Sequence, residues 1–420
     1  MNGRRASACG AVFLGALSNV TGCSSARPLP LRDDVGSDGG AQPDGSTSGS
    51  RGLTPAAEAA LDAFIADHMK VAHVPGLAVA LVAHGNVAWT KGYGMASLAD
   101  NRAVTSDTLF MLASVSKTFV GVAMMQLVEA KQIALDDDID GKLPFAVRNP
   151  SFPTAKITYR MLLTHTSSLV DGAAFGALAP TQGSDAPTPL ADWIKGYVLK
   201  GGAYSAADNW GTAAPGAHYS YSNAGASLAG YLVEIISGMS LQNYCQAHIF
   251  GPLKMGESSW FLKGLDSTHI AHPYEWVKGA YVDKGFYGFP DYPDGQLRTS
   301  ASQLARFLAM FASGGSYDGA TSLAPATVQE MRKRQVPRLG ADAANQGLIW
   351  YYTMEVDGTE VLGHTGAYIG VSTDMYFDPK TNNGYVLLTN GGVYLDHAKG
   401  PEVDAMYAID VKLLATAADF

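Results

Sequence analysis

Residues 110–118 read FMLASVSKT and place a serine, Ser114, three residues before a lysine, Lys117. We predict a long, mostly apolar helix from Ser116 to Lys131, buried on most of its sides. If Ser114 opens that helix, its side chain and that of Lys117 lie one turn apart on the same face. A serine hydroxyl becomes nucleophilic when a neighbouring base takes its proton, and burial lowers the pKa of a lysine toward that use. The pattern alone is weak, because a chain of this composition contains about one such pair by chance.

A second candidate group, Tyr221-Ser222-Asn223, stands before a predicted apolar helix from Ala224 to Ser237 that ends at Gly238. In an extended segment, positions i and i+2 point the same way, so Tyr221 and Asn223 are predicted to face one cleft. A tyrosine hydroxyl there can relay a proton to a leaving group, and an asparagine amide can hold a substrate carbonyl.

A third group, His364-Thr365-Gly366, follows Val361-Leu362-Gly363 in a predicted strand. Gly366 would let a ligand approach the strand backbone closely, because glycine has no Cβ.

Taken together and in this order, the three groups resemble the active-site motifs of the serine penicillin-recognising family, which includes class C β-lactamases, D-alanyl carboxypeptidases and esterases. The family order is Ser-x-x-Lys, Tyr-x-Asn, then Lys-Thr-Gly or His-Thr-Gly. The spacing is similar too, with 107 residues from Ser114 to Tyr221 and 143 from Tyr221 to His364. Four stretches around the motifs also look like family sequence blocks: residues 75–80, 91–94, 110–118 and 162–169. One difference is Ser168, where the family usually has glycine. The resemblance covers about residues 54–420.

The resemblance implies a role for each matching residue. Ser114 resembles the nucleophile, and Lys117 and Tyr221 resemble the paired base and proton relay. Asn223 resembles a ligand of the substrate amide, and the backbone N–H groups of Ser114 and Ala367 resemble the oxyanion hole. His364, Thr365 and Gly366 resemble the strand that binds substrate. The implied reaction is two-step acyl transfer through an ester on Ser114, with a small molecule or peptide as substrate and no metal or organic cofactor.

His364 bears on the choice of substrate. Lysine at this position is usual in β-lactamases proper, where its fixed charge helps to bind a carboxylate, whereas histidine is expected to give a weaker, pH-dependent charge. We therefore expect hydrolysis of carboxylic esters or D-amino-acid amides, with esters slightly favoured. The alternatives are a D-alanyl-D-alanine carboxypeptidase, a weak class C-type β-lactamase, or a binding protein that keeps the fold without turnover.

The predicted fold is α/β (α+β) and β-lactamase/transpeptidase-like: an antiparallel sheet built from both chain ends, flanked by helices, with a mostly helical insertion lobe. Predicted strands are Leu77–Val82, Val87–Tyr93, Gly370–Phe377 and Gly384–Thr389, and the first two form a hairpin around Gly85-Asn86. Thr54 is predicted to cap the first helix, and a last helix runs from about Glu402 to Ala417. The aromatic-rich residues 274–292 either wall an acyl pocket or pack on themselves, and His165 is interpreted as a structural hydrogen-bonding group.

The N-terminal residues predict export. Residues 1–22 have a basic start and a short apolar stretch typical of a signal peptide, and Val20-Thr21-Gly22-Cys23 resembles a bacterial lipobox. Cys23 is thus the predicted lipidation site, residues 23–53 a flexible Gly/Ser/Pro tether, and residues 54–420 the hydrolase domain. The expected location is a membrane-anchored lipoprotein outside the cytoplasm, with secretion in soluble form as the alternative. Cys245 is expected to be a buried structural thiol.

Charge and motifs argue against several other classes of protein. The formal net charge is −9, and there is no long basic run of the kind that binds nucleic acid. No His-Glu-x-x-His pattern supplies zinc ligands, and no glycine-rich phosphate loop precedes a helix. The sequence leaves the oligomeric state open.

Overall fold

The computed structural model describes residues 52–341, 343–355, 357–396 and 399–420. The predicted signal peptide, Cys23 and nearly all of the predicted tether lie outside the described residues. The strands, in chain order, are β1 (Gly76–Ala83), β2 (Asn86–Ser97), β3 (Arg102–Ala103), β4 (Phe110–Met111), β5 (Thr181–Gln182), β6 (Tyr274–Val277), β7 (Ala280–Asp283), β8 (Tyr287–Gly288), β9 (Arg298–Thr299), β10 (Ser316–Tyr317), β11 (Ala320–Thr321), β12 (Tyr351–Met354), β13 (Glu360–Tyr368), β14 (Val371–Phe377) and β15 (Gly384–Thr389).

The helices alternate with these strands and occupy most of the middle of the chain. They are α1 (Pro55–Val71), α2 (Lys117–Glu129), α3 (Tyr159–Leu163), α4 (Ala173–Gly176), α5 (Leu190–Val198), α6 (Asn223–Ser237), α7 (Leu241–Cys245), α8 (Ala301–Ala312), α9 (Pro325–Arg332), α10 (Val393–Asp396) and α11 (Pro401–Ala417).

Both chain ends contribute to one seven-stranded antiparallel sheet, in the order β12-β13-β14-β15-β1-β2-β3. Strand β1 pairs with β15 in a register that sets Leu77 opposite Thr389 and Val82 opposite Gly384. The prediction of a sheet made from both termini is therefore confirmed. The strand partners themselves were not readable from sequence, because pairing across more than 300 residues leaves no local pattern.

The sheet is covered on both faces. Every residue of β1 is buried, which explains its unbroken apolar run GLAVALVA. Leu77, Val79 and Leu81 face the layer formed by α1 and α11. Ala78, Ala80 and Val82 face the larger core that contains α2, α6 and α8.

Local signals placed the first hairpin and helix correctly. Thr54 caps α1 by accepting a hydrogen bond from the Ala57 N–H at 3.2 Å. The turn between β1 and β2 has positive φ at His84 and Gly85, 49° and 75°, as a tight two-residue hairpin requires.

Several predicted boundaries shift by a few residues. Helix α2 begins at Lys117 and ends at Glu129, inside the predicted Ser116–Lys131, and a 3₁₀ turn from Ala113 to Ser116 precedes it. Strand β14 starts at Val371 rather than at Gly370, whose φ of 66° belongs to a turn. Cys245 is fully buried, as expected.

The described helices differ in length and in apolar character. None of them alone is both long and apolar enough to cross a bilayer, while the bent pair Asn223–Ser237 and Leu241–Phe250 passes by combined length and composition.

Candidate active site

Ser114 lies on a strained turn between β4 and α2. The preceding residue, Ala113, has φ of 46°, a left-handed conformation that costs a non-glycine residue roughly 1–2 kcal/mol. Strand β4 fixes the start of this turn by pairing Met111 with Arg298 of β9. Ser114 belongs to the 3₁₀ turn Ala113–Ser116 and Lys117 begins α2, so the condition that Ser114 itself opens the α-helix is not met.

Lys117 is fully buried beside Ser114. Its Nζ donates to Ser114 Oγ at 2.9 Å and to the backbone carbonyl oxygen of Asp294 at 2.6 Å. Burial lowers the pKa of Lys117 to about 8, although three nearby acidic residues oppose that shift. Roughly a tenth of the Lys117 amines are therefore neutral at pH 7, and a neutral amine can accept the Ser114 proton.

Tyr221, in the segment before α6, lies next to Lys117. The Lys117 Nζ lies 5.2 Å from the centre of the Tyr221 ring, and the His165 ring packs against that ring at 4.4 Å. The structure therefore brings together the three residues predicted as catalytic.

His165 has a structural place in this cluster, as its interpretation expected. Its Nδ1 accepts a hydrogen bond from the Ser222 N–H at 3.2 Å. Burial, and then the charge of Lys117, lower the pKa of His165 to about 3, so its ring is neutral at physiological pH.

Asn223 is oriented by an acid that the sequence reasoning missed. Its Nδ2 donates to Asp171 Oδ2 at 2.9 Å, and the backbone N–H groups of Asn223 and Ala224 donate to the same carboxylate at 3.0 and 2.9 Å. Asn223 is the first residue of α6 rather than part of an extended segment, and Ser222 is its cap. Asp171 thus binds at a helix N-terminus, where negative charge is stabilised.

His364 is buried in β13 with 2% of its surface exposed. Its Nδ1 is 2.7 Å from the carbonyl oxygen of Thr365, and because a carbonyl only accepts, Nδ1 carries the proton and Nε2 is an acceptor. Burial, and then the neighbouring Lys117 charge, lower the pKa of His364 to about 3. The expected pH-dependent charge on His364 is therefore wrong for the range pH 5–9, because desolvation keeps the ring neutral throughout.

Gly366 allows β13 to lie directly against the Ser114 turn. A Cβ at this position would come 2.3 Å from the Leu112 carbonyl oxygen and 3.1 Å from the Ser114 nitrogen. The next residue is Ala367, whose N–H is predicted for the oxyanion hole, and it is paired in register with Ser372 of β14. The close approach brings the two predicted oxyanion donors onto neighbouring backbone segments.

The Thr365 side chain forms hydrogen bonds with residues of the neighbouring strand β14. Its hydroxyl donates to Asp374 Oδ1 at 2.6 Å and is 2.8 Å from the Tyr376 hydroxyl. In this structure the Thr365 side chain therefore supports the sheet, and its contact with substrate stays a prediction.

The aromatic-rich segment packs partly on itself, as Trp276 on Tyr281, and partly against the Ser114 turn, and its role as the wall of an acyl pocket stays a prediction. Tyr287 and Phe289 are buried and pack with Met111 and Ala113, next to Ser114. Asp291, within this segment, and Asp294, two residues beyond it, are buried acids near Lys117 that the sequence reasoning also missed. The aromatic density was the available signal, but nothing local pointed to the acids. Among the described residues, no three His, Cys, Asp or Glu side chains are grouped to hold a metal ion.

The sheet order, the two flanking helical layers and the Ser114–Lys117 pair define the β-lactamase/transpeptidase class of fold. A family model named Beta-lactamase matches residues 61–407, and the chain belongs to this family of serine hydrolases, which also includes penicillin-binding proteins.

Individual relatives are distant. The chain is 25% identical over 340 residues to Protein flp of Staphylococcus aureus strain MW2, covering 80% of this chain and 64% of that protein. The D-amino acid amidase of Ochrobactrum anthropi SV3 superposes with a TM-score of 0.67 at 22% identity, covering 86% of this chain and 98% of that chain. EstCE1, a hydrolase with promiscuous acyltransferase activity, superposes with a TM-score of 0.60 at 20% identity, covering 82% and 99%. The two structural likenesses establish the fold.

Proposed function

We propose that this protein hydrolyses carboxylic esters or D-amino-acid amides through an acyl-enzyme on Ser114. The observation that carries the proposal is the 2.9 Å hydrogen bond between Ser114 Oγ and the Nζ of the fully buried Lys117. A buried amine of lowered pKa, in direct contact with a serine hydroxyl, is the arrangement that activates this nucleophile.

The reaction follows from these contacts. Neutral Lys117 accepts the Ser114 proton as Oγ attacks the substrate carbonyl, and the N–H groups of Ser114 and Ala367 stabilise the resulting oxyanion. Tyr221, next to Lys117, passes the proton to the departing alcohol or amine as the carbonyl–leaving-group bond breaks. Water then attacks the Ser114 ester and loses its proton to the same pair, and the pair returns a proton to Ser114 Oγ as the acyl–oxygen bond breaks and the acid leaves.

The substrate class rests on His364. A neutral, buried ring offers no formal charge to a substrate carboxylate, so uncharged esters and amides are favoured over penicillins and C-terminal peptides. The names of the two structural neighbours, an amidase and a hydrolase with acyltransferase activity, support the same class.

Active-site labelling tests the proposal. A fluorophosphonate probe is expected to label the wild-type protein once per chain and not to label Ser114→Ala, while short aryl esters are hydrolysed only by the wild type. Ser116→Ala is the matched control and should still be labelled, because the Ser116 hydroxyl accepts a hydrogen bond from the Leu297 N–H. Equal labelling of the wild type and Ser114→Ala would exclude the serine mechanism, and a wild type that binds substrates without labelling would indicate a binding protein.

A further inference from the structure

The side-chain amide of Asn223 has one fixed orientation, and the carboxylate of Asp171 sets it. Asp171 Oδ2 accepts from the backbone N–H of Asn223 at 3.0 Å, and Asp171 Oδ1 accepts from that of Ala224 at 2.9 Å. Backbone N–H groups only donate, so both carboxylate oxygens act as acceptors in this contact. The Asn223 side-chain atom that lies 2.9 Å from Oδ2 is therefore the donor Nδ2 and not the acceptor Oδ1.

The start of α6 is capped without this acid. Ser222 Oγ accepts from the Gly225 N–H at 2.9 Å, as the side chain of an N-cap residue does. Asp171 comes from a separate part of the chain, and it binds the Asn223 side chain in addition to two N–H groups of the helix end. The contact with the side chain adds nothing to the cap, and its effect is to hold the Asn223 amide in place.

The oxygen of this amide is open to a ligand. Among the described residues, no side chain or backbone group donates a hydrogen bond to Asn223 Oδ1, and this atom keeps contact with solvent. The two ends of a planar carboxamide diverge, so Oδ1 is turned away from the Asp171 carboxylate. One hydrogen of Nδ2 is already used by Asp171, whereas both lone pairs of Oδ1 are unused. Asn223 therefore presents mainly an acceptor.

Asn223 is close to the reacting groups. It follows Tyr221 by two residues, and the Tyr221 ring lies 5.2 Å from Lys117 Nζ, which is hydrogen-bonded to Ser114 Oγ. Consecutive Cα atoms are 3.8 Å apart, so the Cα atoms of Tyr221 and Asn223 are separated by about 7 Å at most. A substrate whose carbonyl carbon meets Ser114 is within reach of this acceptor through the atoms next to that carbon.

We propose that Asp171 is a positioning residue for substrate choice: it orients Asn223 so that Oδ1 accepts an N–H of the substrate. The inference deepens the proposed function and rests on it for its catalytic consequence. The N–H belongs either to an amino group beside the scissile carbonyl or to the amide bond that is cleaved. A plain carboxylic ester has neither, so amino-acid esters and amides are preferred over it. The polarity is opposite to the sequence expectation, in which the asparagine amide holds a substrate carbonyl.

Binding to Ser114→Ala tests this polarity without turnover. Methyl 3-phenylpropanoate is the reference ligand; D-phenylalanine methyl ester adds only the amino group, and 3-phenylpropanamide replaces only the ester by an amide. At least one of the two N–H ligands is expected to bind about fivefold more tightly than the reference by calorimetry, and its identity shows which N–H is bound. Burial raises the pKa of Asp171, so binding is measured at pH 8, above the usual range of carboxyl titration.

Two Asp→Asn changes, each made in Ser114→Ala, separate the contact from general damage. In Asp171→Asn, the new amide N–H can donate to Asn223 Oδ1 and occupy it, so the preference should fall to nearly one. Asp208→Asn is the matched control. Asp208 Oδ2 accepts from the Ala173 N–H at 2.8 Å, two residues beyond Asp171, and the preference should survive its replacement. No preference with either ligand, or an equal effect of the two changes, would overturn the proposal.

Asn223→Ala decides the case if Asp171→Asn does not fold. It removes the acceptor itself and should abolish the same preference, so a preference that persists in Asn223→Ala would also overturn the proposal. The proposed function is judged separately, by fluorophosphonate labelling of the wild type. Labelling without any N–H preference would mean that this inference alone fails. A preference without labelling would mean that the proposed function fails while the contact with Asn223 stands.

Discussion

At the scale of single residues, His364 is the position that most affects substrate choice. Its ring is held neutral by burial, and its Nδ1 proton is committed to the Thr365 carbonyl. The ring then contributes shape and one acceptor nitrogen to the site. A substrate carboxylate therefore gains no charge–charge attraction from the His364 ring.

Replacing His364 with lysine should therefore change specificity. The ratio of penicillin acylation to aryl-ester turnover is expected to rise roughly tenfold or more in His364→Lys, because a hydrogen bond to a charged group adds about 1.5–3 kcal/mol. Labelled penicillin and a chromogenic ester, measured on the same samples, give the ratio. His364→Gln, which remains neutral, is the control and should show no increase, and an equal rise in both variants would mean that charge is not the cause.

At the scale of secondary-structure elements, the site depends on how closely β13 approaches the turn that holds Ser114. Gly366 permits this approach, while the left-handed Ala113 bends the chain so that Ser114 meets the strand. The two features act together, since a strand further away would leave the predicted oxyanion donors apart.

Gly366→Ala should separate these elements. The added Cβ would meet the backbone oxygen of Leu112, and a backbone atom cannot move aside as the end of a flexible side chain can. We therefore expect a loss of roughly 1–3 kcal/mol in unfolding free energy. Fluorophosphonate labelling should fall by a larger factor than the stability loss explains, as urea denaturation and labelling of the folded fraction would show. Gly141→Ala, where a Cβ meets nothing within 4 Å, is the control. Unchanged labelling in Gly366→Ala would show that the close approach is not needed.

Elements with local signals were predictable from the sequence, and those that depend on distant pairing were not. Thr54, Gly85 and Gly238 carry their own capping or turn chemistry, and each marks a boundary correctly. Two-residue strands such as β4 and β9 exist only because they pair with each other across the chain. The motif residues of the site were predicted from their order and family-like spacing, whereas Asp171, Asp291 and Asp294 come near Lys117 only through the tertiary fold. The left-handed φ of 63° at Ser168 also explains why glycine is usual there in the family.

At the scale of the whole molecule, we propose that the chain is exported and anchored through a lipid on Cys23. The support is the lipobox-like Val20–Cys23 and the basic, apolar segment before it. The prediction is that the wild type fractionates with membranes while Cys23→Ala appears in the soluble exported fraction with its labelling by fluorophosphonate intact. Cys245→Ala is the matched control and should stay with the membranes. Recovery of Cys23→Ala in the membrane fraction would argue against the anchor.

The pairing of β1 with β15 also determines when the sheet can form during synthesis of the chain. Leu77 meets Thr389, a partner made 312 residues later. At a synthesis rate of about 5–20 residues per second, β1 waits roughly 15–60 s for that partner. During this interval a fully apolar strand stands without one neighbour, and the His364–Gly366 strand has not yet been made for most of it. A chain that stops before β13 lacks the strand that lies against Ser114, so we expect such a truncated chain not to be labelled by fluorophosphonate.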